Sequence, residues 1–158
     1  MKVVLDTHIF ILGTLHPESQ ERTLLGLLTK HRQARLVFSV PITDEILRKL
    51  IAYGVDHELM TSDDLFDLMK FFVRALPDTV LVRLTKGYGL VIEDKEDNKF
   101  VDAAIEGNAD YLISNDPHIL RLKGKGIRRS DGELLDIRSV KEMTLELASM
   151  LLPASRKA

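Results

Sequence analysis

Apolar residues follow two rhythms along this chain, and the alternation between them is its first structural statement. Short unbroken runs, Val3-Val4-Leu5, Leu36-Val37-Phe38, Val80-Leu81-Val82 and Tyr111-Leu112-Ile113, separate longer segments whose apolar positions return every three or four residues. Runs of the first kind suit strands buried on both faces, and the longer period is that of amphipathic helices. The pattern therefore predicts a strand at 3–5, a brief helix from Ile9 to Leu15 closed by Gly13 or by His16-Pro17, and a helix from Glu18 to about Arg32 with Leu24, Leu25, Leu27 and Leu28 inward. The second strand leads through Ser39 into a helix that starts at Pro41 and carries Ile42, Ile46, Leu47, Leu50 and Ile51 to a stop near Gly54. A further helix, Asp63 to Leu76, follows a Thr61 or Ser62 cap, turns Leu65, Phe66, Leu68, Met69 and Phe72 inward, and ends at Pro77.

Beyond the third strand, the stretch VIEDKEDNKFVDAAIEGNADYLISND, Val91 to Asp116, reads as turn, helix and strand with an acid at each end. Asp94 is a helix N-cap with Asp97 three positions on, and Gly107-Asn108 is the stop signal. At about 100° per residue, Asp97 shares a side with Val101, Ala104 and Ile105, whereas Asp102 and Glu106 fall on the side expected to face water. Pro117 to Leu122 is a short helix, Asp131-Gly132 between Ile127 and Leu134–Ile137 reads as a hairpin turn, and a last helix from Ser139 carries Met143, Leu147, Met150 and Leu151.

Strands alternating with helices predict a three-layer α/β sandwich: a central, mostly parallel sheet of about four to five strands flanked by helices. Residues 1–158 form one domain in this reading, with an added hairpin near 127–137 and a C-terminal helix over 139–152. Such sheets bind ligands at their carboxyl edge. Asp6 leaves the first strand, Asp116 leaves the strand 111–113, Asp97 faces inward at the start of the helix between, and Glu45 lies in the first turns of the helix after Ser39. Each acid has a bland counterpart: Asp6 and Asp116 as helix caps, Asp97 as an acid meeting the helix dipole, Glu45 as a solvated side chain. Together at one edge they are a candidate site.

Composition narrows the chemistry. Cysteine is absent, which removes disulfides, thiolate nucleophiles and cysteine zinc sites. His8, His16, His31, His57 and His118 show no paired ligand spacing. No apolar run approaches the roughly 18 residues of a membrane span, and Val3-Val4-Leu5 is too short and too soon acidic for a signal peptide, so a cytoplasmic protein is expected. The net charge of −2 offers no global field for nucleic acid, so any such contact must come from a local patch. Arg121, Lys123, Lys125, Arg128 and Arg129 follow Asp116 and are the candidates to hold a substrate backbone, with a solvated loop as the alternative.

These residues resemble the PIN-domain family, which includes the VapC-type toxin ribonucleases. VVLDTHIF is similar to the family's opening strand and Asp-Thr, FSVPITDEIL to its Ser-to-Glu helix, and EDNKFVDAAIEGNADYLISND to its third and fourth acids. The resemblance runs from Lys2 to about Leu122 and departs at His8, where the family carries Asn. It implies catalytic carboxylates at Asp6, Glu45, Asp97 and Asp116, a small hydroxyl at Ser114, RNA as substrate, a toxin role, and an antitoxin protein or a second copy of the chain as partner. The alternative is a non-catalytic PIN-like interaction or RNA-binding protein that keeps the fold.

Charge adds a requirement of its own. Two carboxylates 4 Å apart repel by roughly 4 kcal/mol at an effective dielectric near 20, so such a cluster needs protons, basic partners or a metal. An oxygen-only donor set selects Mg²⁺ or Mn²⁺. Asp6, Asp97 and Asp116 would ligate it, Glu45 would position or deprotonate water or complete a second metal shell, and Thr7 and Ser114 would orient these groups from behind. A haloacid-dehalogenase-type phosphatase would need an acid at His8, and a receiver-like module an acidic pair after the first strand.

Overall fold

The computed structural model describes residues 1–31, 33–56, 61 and 79–151. Five strands form one sheet: β1 (Lys2–Leu5), β2 (Arg35–Ser39), β3 (Val80–Val82), β4 (Tyr111–Ile113) and β5 (Asp136–Arg138). All pairings are parallel, in the order β3-β2-β1-β4-β5. The helices are α1 (Thr7–Leu15), α2 (Gln20–Lys30), α3 (Val40–Asp56), α4 (Asn98–Glu106), α5 (Pro117–Leu120) and α6 (Val140–Leu151), with a 3₁₀ turn, Lys95–Asp97, leading into α4.

The central apolar triplets become strands because they are covered on both faces, whereas β3 at the edge leaves Leu81 exposed. Val3 and Val4 in the central β1 are fully buried, as are Leu112 and Ile113 in β4. α4 packs on β1, β2 and β4, while α2 packs on α1 and α6. The chain steps from β1 out to β3 on one side of the sheet and then returns past β1 to β4. The return creates a topological switch point at the carboxyl ends of β1 and β4, where such sheets open a crevice.

Several local expectations change. α1 runs through Gly13 to its cap at His16. A Cβ on Gly13 would lie 2.6 Å from Leu25 Cδ1, so this glycine lets α1 and α2 approach rather than ending a helix. On α3 the buried row is Ile42, Ile46 and Leu50, one residue every four, whereas Leu47 and Ile51 lie next to that row and stand about half exposed. The helix expected over 63–76 lies outside the described residues. Around Asp131-Gly132 there is one antiparallel bridge, Arg128 to Leu134, with Gly132 at φ 90°, but Asp136–Arg138 then joins the main sheet beside β4. Ser139 and Glu142 form a reciprocal capping box at the head of α6: the Glu142 carboxylate accepts from Ser139 N at 2.9 Å, and Ser139 Oγ accepts from Glu142 N at 3.3 Å. Of the four apolar positions expected inward on α6, Met143 and Leu147 are buried, and Met150 and Leu151 are exposed.

The largest correction concerns the outer side of α4. Asp102 is buried, and its Oδ1 accepts a hydrogen bond from Tyr88 N at 3.0 Å. Glu106 accepts from Thr85 N and Lys86 N, and Asn98 both donates to and accepts from the Val91 backbone. Asn98, Asp102 and Glu106 are spaced four apart, so they form one polar stripe that clamps the segment Thr85–Val91 onto the helix. That segment has no ladder of its own, and its backbone groups need these partners.

Candidate active site

At the carboxyl edge, the ends of β1 and β4 are tied by one hydroxyl. Ser114, fully buried, donates to Asp6 Oδ2 at 2.6 Å and accepts from Asp116 N at 2.9 Å. Asp6 also caps α1, its Oδ1 accepting from His8 N at 3.2 Å, and Asp116 caps α5 by accepting from His118 N at 2.7 Å. The capping role and the clustering are therefore compatible: each aspartate gives one oxygen to the backbone while lining the cavity, and Asp6 gives its other oxygen to Ser114. Burial pushes the Asp6 carboxyl up; its bonds to Ser114 and His8 pull it down, and Asp116 adds a smaller repulsion.

Asp97 enters from the 3₁₀ turn ahead of α4. It makes no side-chain capping bond, and its buried Oδ2 has no hydrogen-bond partner. Its carboxyl is raised to about 6, by burial first and then by the charges of Asp116, Asp94 and Asp6. A buried carboxylate oxygen without a partner is costly, and its cost is what a bound cation or proton would remove. Glu45 differs. Burial raises its carboxyl, but Lys49 Nζ at 2.6 Å and the Lys99 ammonium outweigh that and hold it below the ordinary range.

Asp6, Glu45, Asp97 and Asp116 line one cavity of about 350 Å³, together with Asp94, Glu21, His8, Lys49 and Asn115. Glu21 was not expected here. It is buried and accepts from Asn115 Nδ2 at 3.1 Å, while Asn115 Oδ1 accepts from Val140 N, joining α2 to α6 behind the site. The signal was present, since Glu21 lies three and four residues ahead of Leu24 and Leu25, on the inward row of α2. Thr7 is fully buried and its Oγ1 has no partner, so the hydroxyl that bridges the acids is that of Ser114. Among the described residues no three histidine, aspartate or glutamate side chains are grouped so as to hold a metal ion as they stand.

The basic segment divides. Arg121 pairs with Glu93, which also meets His118 Nδ1 at 2.9 Å, beside Pro117 at the cavity. Lys123 pairs with Glu142 at the head of α6, and Lys125 is exposed. Arg128 donates to Gly132 O at 2.7 Å. Arg129 is bound to Asp110 at 2.6 Å and to Asp131 at 3.1 Å, with its side chain 10% exposed. Asp110 precedes β4 and accepts from Lys2 N, so Arg129 sits at the amino edge of the sheet. It lines a separate cavity there with Lys2 and Arg35, which corrects its expected place beside the acids.

With that geometry in place, comparison with known proteins adds the family. The sequence matches the profile described as PIN domain over residues 2–118. The chain belongs to the PIN-domain family. No curated protein matches it. Among solved structures, the PIN chain is similar to a chain of VapBC2 from Rickettsia felis, crystallised bound to a DNA fragment from the promoter of that pair. The TM-score is 0.51 at 17% identity, covering 87% of this chain and 98% of the other, a likeness of fold. The PIN match ends at His118, so β5 and α6 lie beyond it.

Proposed function

We propose that this chain is a metal-dependent endoribonuclease, the toxin of a toxin-antitoxin pair, which hydrolyses RNA phosphodiester bonds at the carboxylate-lined cavity. The observation that carries the reading is Asp97: a buried carboxylate oxygen without a partner, beside Asp116 and Asp6, with its carboxyl raised to about 6. A protein that had kept the fold only for interaction would have no reason to maintain that arrangement against its own repulsion.

The donors are all oxygens, which fits Mg²⁺ or Mn²⁺ held by Asp6, Asp97 and Asp116. When bound, such an ion would make water more acidic and balance the charge on a phosphodiester under attack. The chain's own part is to hold the geometry. Ser114 keeps the Asp6 and Asp116 loops in register, and the caps on α1 and α5 fix both carboxylates against rotation. Lys49, which lines the cavity, and Arg121, whose partner Glu93 also meets His118 after the lining residue Pro117, are the exposed cations proposed to meet the RNA backbone. Residues 1–158 act as one unit in this reading, the turn at Asp131-Gly132 being an addition to it.

A cognate antitoxin and a second copy of the chain are the proposed partners, supported by the likeness to a VapBC2 chain. Among the described residues no helix is long and apolar enough to cross a membrane, in keeping with the proposed cytoplasmic location. A Mn²⁺ titration followed by thermal denaturation separates this reading from a non-catalytic PIN protein. Binding that raises the melting temperature of the wild type, and raises that of Asp97→Asn less, supports it. A wild type whose melting ignores the ion leaves the non-catalytic alternative.

A further inference from the structure

Among the described residues, Glu45 is the expected site acid that meets ammonium groups. Both of its oxygens are engaged: Oε1 by Lys49 Nζ at 2.6 Å, one turn along α3, and Oε2 by Lys99 from α4. Lys99 is not an ordinary surface lysine. Its side chain is 12% exposed, its Nζ also donates to Glu96 O at 2.7 Å, and it lies 5.0 Å from the ring centroid of the buried Phe100. A lysine enclosed in this way has given up rotamer freedom and hydration, and its partners replace the water it has lost. Lys49, by contrast, is 59% exposed and lines the cavity. The site therefore has an aspartate side, where Asp97 Oδ2 is unpartnered, and a Glu45 side that is already neutralised.

We propose that Lys99 is a positioning residue: it fixes Glu45 as an anchor for Lys49, so that the cation is held by Asp6, Asp97 and Asp116 and the substrate phosphate is met by Lys49. The assignment rests on the reading of the cavity as a cation and RNA site. It replaces the expectation that Glu45 is itself a metal ligand. The chemistry is that of a compact point charge carried to a phosphate by a carboxylate held from behind. Lys99 crosses from α4 to α3, so it also sets the distance between the two sides of the cavity.

Mn²⁺ titration calorimetry tests this without relying on turnover. Asp97→Asn should weaken Mn²⁺ binding about tenfold or more, the scale of losing a ligand or its immediate support. Glu45→Gln, which keeps shape but not charge, should stay within about threefold of wild type. Lys99→Gln should release the Glu45 carboxylate toward the cation and tighten Mn²⁺ binding, whereas Lys99→Arg should leave it as in wild type. RNA affinity measured in chelator should fall for Lys49→Gln and Lys99→Gln and persist in Lys99→Arg, a rescue that a packing role alone does not supply. Glu45→Gln weakening Mn²⁺ as much as Asp97→Asn would overturn the proposal, because Glu45 would then be a ligand. So would unchanged Mn²⁺ affinity in Lys99→Gln. If the wild type binds no Mn²⁺ at all, it is the cation reading of the cavity that has failed, and this assignment falls with it.

Discussion

Ser114 Oγ and Asp6 Oδ2 lie 2.6 Å apart across the gap between β4 and β1, and the same hydroxyl accepts from the backbone of Asp116. One side chain thus fixes two of the acids. Ser114→Ala should cost about 1.5–3 kcal/mol, the range for a hydrogen bond to a charged group, measured by urea denaturation at pH 7. RNA cleavage should fall with it, because both aspartates lose their register. Unchanged stability would mean that Asp6 needs no donor at this position.

Asp97 predicts a pH dependence with a definite sign. Its carboxyl rises from 3.8 to about 6 in the folded protein, first through burial. The folded state therefore holds a proton that the unfolded chain releases earlier, and apo stability falls as pH climbs through that interval. Asp97→Asn has no such proton, so it should lose this part of the slope and melt higher than wild type in chelator at pH 7. Asp6 and Asp102 are shifted in the same direction and supply a background common to both proteins. Parallel slopes for the two proteins between pH 4 and 6 would show that Asp97 is not perturbed.

The clamp on Thr85–Val91 gives Asp102 a role apart from the site acids. Asp102→Asn keeps an acceptor for Tyr88 N and removes a charge that burial disfavours, so its melting temperature should hold. Asp102→Ala leaves Tyr88 N without its partner and should lose about 1–3 kcal/mol. Hydrogen exchange at Tyr88 in the two variants reads the same bond directly. Equal exchange in Asn and Ala variants would show that the bond does not hold the segment.

Arg121 and Arg129 should behave as opposites. Arg121→Ala removes a cation beside the cavity, so the salt dependence of RNA binding should flatten, by about 0.7 in slope for each single-strand phosphate that Arg121 neutralises. Arg129→Ala breaks two ion pairs at the far edge and should lower stability while leaving that slope alone. A flattened slope for Arg129→Ala would bring RNA to the amino edge of the sheet.

The central strands β1, β2 and β4 were legible because they are largely buried and so read as unbroken apolar runs, with Asp6 and Asp116 marking the carboxyl ends of two of them. What was hidden depends on tertiary neighbours that periodicity does not encode. Asp102 lies opposite the apolar row of α4, yet a segment fourteen residues earlier roofs it. Leu47 and Ile51 extend the apolar stripe of α3 without sharing its burial. Arg129 follows Asp116 closely in sequence, but the chain has turned to the opposite edge by then. Glu21 was within reach, since it continues the inward leucine row of α2, where an acid needs a partner. That the Glu45 oxygens would both be taken by lysines, one of them from another helix, required the tertiary structure.

Cleavage of end-labelled single-stranded RNA in Mn²⁺, comparing wild type with Asp97→Asn and repeating both in chelator, tests the central claim most directly. The account predicts cuts by the wild type that disappear in chelator, and a loss of roughly 100-fold or more in the folded variant, the scale of removing one group that acts on the reacting charge. Cleavage by the variant at the wild-type rate, or cleavage by the wild type undiminished in chelator, would contradict it.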